Sequence, residues 1–446
     1  MSTGFLIWLS VLSWTPSSGA LQLIAYVGVP LSVTVWTIVT KSRVSLPVLL
    51  LFAALATLAT LSMLAEGDAV ALPNALLAVL TYGSLAILLV RAPYDARCYG
   101  RLVTALSVLT VVQVLIAVVQ FVDANRSLRF VSMAAGDAAV GTLLTNSHLF
   151  SVKMLVLVAV FAVAAILRVH RRAAVTGLLA ALIGVVLSSA LLSTVLGLAA
   201  VCVVAFALPS RFIGARLRTP LWRLRIAATA IAIIGGALFL LSQPANVRYI
   251  QGTFSGLARI AMGESERPLP GKVNATIDSA AYMFDDAKVL LIGTGPGHYS
   301  SRAALILSGG YLAPHPSMVP VSLSTHTDTM ILPRWNPGVW SVQYQDGVMN
   351  QPFHSIQSIV VEFGLIGSLL VLFGYGWAWR RVLGVRAPDA RTAAVQLSGI
   401  VVLAMLPVLL LTDNWLEYPH AAVQMLVPVA LALNLPGRRH AGSATG

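Results

Sequence analysis

The fold is decided by residues 351–379, which read QPFHSIQSIVVEFGLIGSLLVLFGYGWAW. From residue 358 onward the stretch is apolar over about 20 residues, which is enough for a helix to cross a hydrocarbon core of ~30 Å. The residues before it are polar and include a titratable imidazole, His354. The stretch therefore predicts a membrane span that begins where a water-exposed loop ends.

The composition extends this interpretation to the whole chain of 446 residues, which is 58% hydrophobic and only 10% charged. A soluble chain carries roughly 25% charged residues, and an outer-membrane barrel would show short alternating segments. We therefore predict an all-α polytopic membrane protein with about twelve transmembrane helices. The predicted spans lie near 4–15, 20–40, 45–64, 70–90, 102–122, 148–167, 174–190, 191–208, 226–242, 357–379, 395–412 and 421–436.

The net charge of +13 does not indicate a nucleic-acid partner, because the basic residues are dispersed over short connections. They occupy every second connection, as the positive-inside rule describes, which predicts both termini in the cytoplasm. The alternation also favours a hairpin of two short spans over one long tilted helix at 174–208. The basic residues in these connections are Lys41, Arg43, Arg91, Arg97, Arg101, Arg168, Arg171, Arg172, Arg211, Arg216, Arg218, Arg223, Arg225, Arg380, Arg381, Arg386, Arg391, Arg438 and Arg439.

Three parts of the chain follow from these spans. Residues 1–241 form an N-terminal transmembrane bundle, residues 242–357 form one large extracytoplasmic loop domain, and residues 358–446 form the C-terminal transmembrane helices. The loop domain is rich in proline and glycine, which predicts short helices and irregular segments within it. Most ionisable residues that could act on a substrate also lie there.

His354 is the strongest candidate for chemistry, because an imidazole titrates near neutral pH and can act as a general base. Glu362 follows eight residues later, ~12 Å along a helix, so it is not expected to be a direct partner of His354. A carboxylate inside a membrane normally faces the bundle interior, and we expect Glu362 to support packing or a polar cavity. Lys153 is expected to be its counter-ion or to extend outward to the interface.

The turn Gly293-Thr294-Gly295-Pro296-Gly297 looks like a nucleotide-binding loop, but it lies outside the cytoplasm and contains a proline. We expect it to present backbone N–H groups to an anion or simply to let the chain turn tightly.

Two arginines near the start of the large loop, Arg248 and Arg259, could hold a diphosphate bidentately or anchor the chain at the interface. The aromatic residues of the loop could stack on a sugar or mark the interface. Its histidines lack the close spacing of metal ligands, so no metal site is expected. These aromatic residues and histidines are Tyr299, Trp335, Trp340, Tyr344, His298, His315, His326 and His354.

One motif of the chain is His354 followed by Glu362-Phe363-Gly364-Leu365-Ile366-Gly367, and another is Leu290-Leu291-Ile292-Gly293-Thr294-Gly295-Pro296-Gly297. Both resemble motifs of the O-antigen ligase and O-antigen polymerase superfamily. The resemblance covers roughly residues 174–380. The chain departs from the family pattern at His354-Ser355, where many members have His-Asn. It also departs in having no clear counterpart of the basic residue that usually precedes the Gly-rich turn, to which Lys272 is the nearest.

The resemblance implies a metal-independent, inverting glycosyl transfer without a cofactor, at the outer side of the bacterial inner membrane. The donor would be a glycan on undecaprenyl diphosphate, and the acceptor a glycan or lipid-linked glycan, in polymerisation or ligation of O-antigen, capsule or exopolysaccharide. It implies that His354 activates the acceptor hydroxyl, with Glu362, Gly293, Gly295 and Gly297 as support. The arginines that would hold the diphosphate are Arg248 and Arg259, with Arg267, Arg302 and Arg334 in reserve.

Two other classes of protein stay open at this point. A secondary transporter or flippase would need polar groups near the bilayer midplane, and Lys153 and Glu362 are the candidates for that role. A structural scaffold would leave the position of His354 without an explanation.

Overall fold

The computed structural model describes residues 2–17, 19–40, 50, 53–54, 56–57, 60–61, 72–91, 96–127, 138–144, 146–188, 262, 271–308, 322–334, 353–385 and 387–435. These residues are mostly helical, and no β-strand occurs among them. The all-α prediction is confirmed for this part of the chain.

The α-helices are α1 Ser2–Leu12, α2 Leu23–Val39, α3 Leu72–Arg91, α4 Ala96–Ser127, α5 Ser147–Ile166, α6 Arg171–Leu187, α7 Gly271–Asp285, α8 Ala287–Ile292, α9 Arg302–Leu307, α10 Ser355–Leu383, α11 Ala390–Leu410 and α12 Pro419–Leu433. Shorter helical turns of 3-10 or π type occur at Gly19–Gln22, Gly141–Leu143, Thr327–Ile331 and Leu332–Arg334.

Within the described ranges, six helices are long and apolar enough to cross a membrane. They are Gly19–Val39, Leu72–Arg91, Cys98–Ala124, Ser147–Ile166, Ser355–Leu383 and Ala390–Leu410. Each overlaps a span predicted from hydropathy. The helices α1 and α12 are also apolar, but with 11 and 15 residues they are shorter than the ~20 residues of a typical span.

The total of about twelve spans and the large loop stay predictions. The predicted spans at 191–208 and 226–242 lie outside the described residues, and so does most of 45–64. In the described part of the predicted loop, the chain forms the short helices α7, α8 and α9.

One end of the bundle gathers the C-terminal ends of α1 and α11 with the N-terminal ends of α3, α5, α10 and α12. Lys153 on α5 connects the end of α1 to the start of α12, because its Nζ donates to Ser13 Oγ at 2.9 Å and to the His420 carbonyl at 2.7 Å. We call this the polar end. It comprises residues 13–17, 72–75, 146–153, 271–301, 353–362 and 411–420.

The opposite end contains the C-terminal ends of α3, α5, α10 and α12, the N-terminal ends of α4, α6 and α11, and most of the arginines among the described residues. Asn434 Nδ2 donates to the Leu89 carbonyl at 2.9 Å, which joins the ends of α12 and α3. Arg381 donates to the Leu435 carbonyl at 3.1 Å. We call this the basic end, residues 89–91, 96–101, 166–172, 380–385, 387–398 and 434–435. The basic connections that lie among the described residues, near Arg91, Arg168 and Arg380, thus meet at one end of the bundle.

Small residues let the helices approach closely. A side chain at Gly177 on α6 would collide with the ring of Phe161 on α5, and one at Gly399 on α11 would collide with Ala432 on α12. Close approach at small residues is typical of helix packing inside membranes. The helix α5, most of whose residues are buried, lies at the centre of this arrangement.

Candidate functional site

His354 lies at the polar end, immediately before the first turn of α10. It is the N-cap residue of that helix, and its Nδ1 accepts a hydrogen bond from the Gln357 N–H at 3.2 Å. Its Nε2 lies 3.2 Å from Oγ1 of Thr276 on α7. The side chain is only 5% exposed, whereas Thr276 is exposed, so the ring lies just beneath the surface.

Lys272 on α7 fixes the position of the chain at His354. Its buried Nζ donates to the Phe353 carbonyl at 2.8 Å and to the Thr412 carbonyl at 2.7 Å. One ammonium group thus connects α7, the start of α10 and the end of α11. Burial lowers the pKa of Lys272 to about 8, against the opposing attraction of Asp413. The group is still mainly a cation at neutral pH.

The pKa of His354 is lowered to about 4, first by burial and then by the positive charge of Lys272. The imidazole is therefore neutral at physiological pH. This agrees with a group that must be uncharged to work, whether as a proton acceptor or as a neutral hydrogen-bond donor.

A polar stripe on α7 faces this region, formed by Lys272, Thr276, Ser279 and Tyr282 at the spacing of one helical face. Ser279 Oγ accepts from Gln357 Nε2 at 2.7 Å and lies 2.8 Å from the Tyr299 hydroxyl.

The outer part of this surface is aromatic and charged. The Tyr282 hydroxyl lies 2.6 Å from His326 Nδ1, and its ring stacks on that of Tyr299 with centroids 6.0 Å apart. Arg334 donates from Nε to Asp278 at 2.8 Å, and both side chains are partly exposed. Polar groups and rings thus continue outward from His354.

The Gly-rich turn wraps around Glu362. The backbone N–H groups of Gly297, Tyr299 and Ser301 donate to its carboxylate at 2.7, 3.1 and 2.9 Å. Gly293, Gly295 and Gly297 have positive φ angles of 79°, 98° and 79°, which L side chains rarely adopt. The anion that these N–H groups bind is therefore the chain's own carboxylate. None of these hydrogen bonds of Glu362 involves His354.

Lys153 does not take the position that the sequence predicts. It is fully buried at the polar end, with Nζ 4.2 Å from the centre of the Trp14 ring and hydrogen bonds to Ser13 and the His420 carbonyl. The predictions that it pairs with Glu362 or extends to the interface are both wrong. Because carbonyl and hydroxyl oxygens at the ends of two helices, α1 and α12, surround it, the amine is satisfied without an anion.

The predicted arginines divide into two groups. Arg248, Arg259 and Arg267 lie outside the described residues. Arg302 begins α9 and is buried, with its guanidinium 4.2 Å from the centre of the Tyr418 ring at the polar end. Arg334 lies further out and is engaged with Asp278.

The loop between α11 and α12 was missed by sequence reasoning. Its buried polar residues hold the site together: Asn414 Nδ2 donates to the Ser300 carbonyl at 2.6 Å, and Ser355 Oγ donates to Glu417 at 2.6 Å. Burial raises the pKa of Glu417 to about 7. The signal was present in the sequence, since two acidic residues and an asparagine within 412–417 interrupt an otherwise apolar region.

In the described ranges, no group of three or more His, Cys, Asp or Glu residues lies close enough together to hold a metal ion.

No protein-family model matches this chain, and no curated protein matches it significantly.

Proposed function

We propose that this protein is a membrane glycosyltransferase. It would transfer a glycan from undecaprenyl diphosphate to a glycan acceptor at the outer side of the bacterial inner membrane, as a polymerase or a ligase of envelope polysaccharide. The observation that carries the proposal is the environment of His354: its imidazole is neutral and lies just below the surface, at the start of an apolar helix.

The position of the polar end supports a lipid-linked donor. The lipid chain of such a donor lies in the hydrocarbon, so its diphosphate lies where membrane spans end. His354 and Arg302 lie at that level of the bundle. A guanidinium stays charged at every physiological pH and binds phosphate oxygens, so Arg302 is the described arginine best placed for the diphosphate.

The surface beyond His354 supports a glycan. Tyr282, His326, Asp278 and Arg334 offer ring faces, hydrogen-bond acceptors and donors next to the exposed Thr276. Sugar hydroxyls require such donors and acceptors, and the C–H faces of sugars stack on aromatic rings. These residues occupy the region that we propose binds the sugar units nearest the reacting carbon.

A transporter receives less support from the same contacts. Lys153 and Glu362 are the ionisable groups that the sequence offered for a midplane site. Both are satisfied by internal hydrogen bonds at the polar end, whereas a transporter needs such groups to face a passing substrate.

The test uses purified protein in detergent with a lipid-linked glycan donor, a glycan acceptor and EDTA. The wild type should release undecaprenyl diphosphate and lengthen or transfer the glycan, and His354→Ala should lose that product by about 10²-fold or more. Asp328→Ala, an exposed residue of the same region, serves as the matched control and should keep full activity. Equal product from wild type and His354→Ala would remove His354 from the reaction. No product from either, across several donors, would reject the transferase.

A further inference from the structure

The hydrogen bonds of His354 determine which ring nitrogen carries the proton. Nδ1 accepts from the Gln357 N–H, so Nδ1 has a lone pair and no hydrogen. A neutral imidazole has one N–H, and here it must be Nε2–H.

The neighbour of Nε2 fits the same assignment. The Thr276 hydroxyl gives its own proton to the Lys272 carbonyl at 2.8 Å, so its oxygen is left to accept from Nε2–H at 3.2 Å. Each polar hydrogen in this chain of contacts then has an acceptor. A ring with Nδ1–H would point that hydrogen at the Gln357 N–H and break the cap of α10.

The surroundings also oppose a second proton on the ring. Lys272 approaches from α7 with a positive charge, and the N-terminal end of α10 adds a positive dipole. Asp413 and Glu417 lie in the loop between α11 and α12, where Asp413 faces Lys272 and Glu417 accepts from Ser355. The ring is thus kept neutral, with Nε2–H directed toward the exposed threonine.

We propose that His354 acts as a hydrogen-bond donor through Nε2–H, directed at an anionic phosphate oxygen of the lipid-linked donor, and that it is not the general base. The proposal rests on the proposed function and revises the role that the family resemblance implies for this residue. A neutral imidazole fixed by the N-terminus of a helix can serve as such a donor, and preorganised donors stabilise charge that develops in a transition state.

A lone pair on the acceptor hydroxyl oxygen forms the new bond to the anomeric carbon, and the bond from that carbon to the diphosphate oxygen breaks. Its electron pair stays on the diphosphate, where Nε2–H stabilises the added charge, and the acceptor proton is lost to water. The phosphate oxygen replaces the exposed Thr276 hydroxyl as the partner of Nε2–H.

The first test needs no substrate. Protein labelled with ¹⁵N-histidine in detergent is studied by long-range ¹H–¹⁵N correlation at pH 7, and His354 is assigned as the ring missing from His354→Gln. We expect Nε2 to be protonated and Nδ1 to be unprotonated. A protonated Nδ1 with a bare Nε2 would overturn the proposal, because that form is the one ready to accept a proton.

The second test separates a donor from a base by activity. The amide nitrogen of Gln in His354→Gln reaches the place of Nε2 and can donate a hydrogen bond, but it cannot take up a proton. We expect His354→Gln to keep activity within about tenfold of the wild type while His354→Ala loses about 10²-fold or more. Equal losses in both variants would reject the donor role.

These outcomes are distinguishable from a failure of the proposed function. If the wild type transfers no glycan, the transferase itself is rejected, and the ring protonation measured without substrate is unaffected. If the wild type is active and Nδ1 is protonated, the donor role alone is rejected.

Discussion

At the residue scale, backbone groups form the hydrogen bonds that stabilise the buried charged side chains of the polar end. Glu362 is surrounded by three N–H groups of the Gly-rich turn, and Lys272 by two carbonyl groups. Charge-assisted hydrogen bonds of this kind are about twice as strong as those between neutral groups. Glu362 therefore holds the Gly-rich turn in place, and Lys272 holds the chain at Phe353 and Thr412. These contacts determine the position of His354.

The lowered pKa of His354 predicts a loss of stability in acid. Between about pH 6.5 and about pH 4 the unfolded chain takes up a proton on this ring and the folded protein does not, so the folded state loses stability as the pH falls. The full effect, complete below about pH 4, is about 3 kcal/mol. The apparent melting temperature of the wild type should drop more between pH 7 and pH 4.5 than that of His354→Gln, which cannot titrate at this position. Parallel curves for the two proteins would contradict this assignment of the pKa.

At the element scale, α10 is broken where it meets the Gly-rich turn. Gly364 has φ 61° and ψ −168° inside the helix, and the break lets its backbone lie against Leu291 and Gly293. The sequence predicted a span at 357–379 because hydropathy is a local signal, and the observed helix is Ser355–Leu383. The break could not be predicted, since it depends on a segment some 70 residues earlier in the sequence.

The break predicts that alanine has different effects on stability at two glycines of α10. In Gly364→Ala, a Cβ would lie 2.5 Å from the Gly293 nitrogen, at a φ angle that alanine rarely adopts. We expect a loss of about 3 kcal/mol or more, seen as little folded protein in size-exclusion profiles. Gly374→Ala is the control, because nothing lies within 4 Å of its Cβ, and it should be neutral or slightly stabilising. Normal yield of Gly364→Ala would mean that α10 is not broken at this position.

At the scale of the whole molecule, the described helices separate a polar end from an end that carries most of the described arginines. The alternation of arginines predicted this separation from the sequence alone, because the pattern needs only the order of spans. The site itself could not be predicted in this way. Lys272 meets Thr412 over a separation of 140 residues and Asn414 meets Ser300 over 114, and no local pattern indicates such contacts.

The concentration of arginines at the basic end predicts that the polar end faces the outside of the cell. In a background with Cys202→Ser, a cysteine at exposed Asp328 near the polar end should react with a membrane-impermeant maleimide on intact cells. A cysteine at exposed Ala390, at the basic end, should react only after the membrane is opened. The two positions are both accessible to water, so they control for each other. Labelling of Ala390→Cys alone in intact cells would invert the proposed orientation and place the site in the cytoplasm.

The double contact of Lys272 has a consequence for how this region can change in evolution. A single amine closes one chain segment of 81 residues, to Phe353, and another of 140, to Thr412. The entropy of closing a loop grows only with the logarithm of its length, by about 0.6 kcal/mol for each doubling. A change in the length of the chain between α9 and α10 therefore alters the entropy of closing these two contacts very little. The chain between α9 and α10 can therefore change in length while the two contacts of Lys272, and with them the ring of His354 at the head of α10, keep their place.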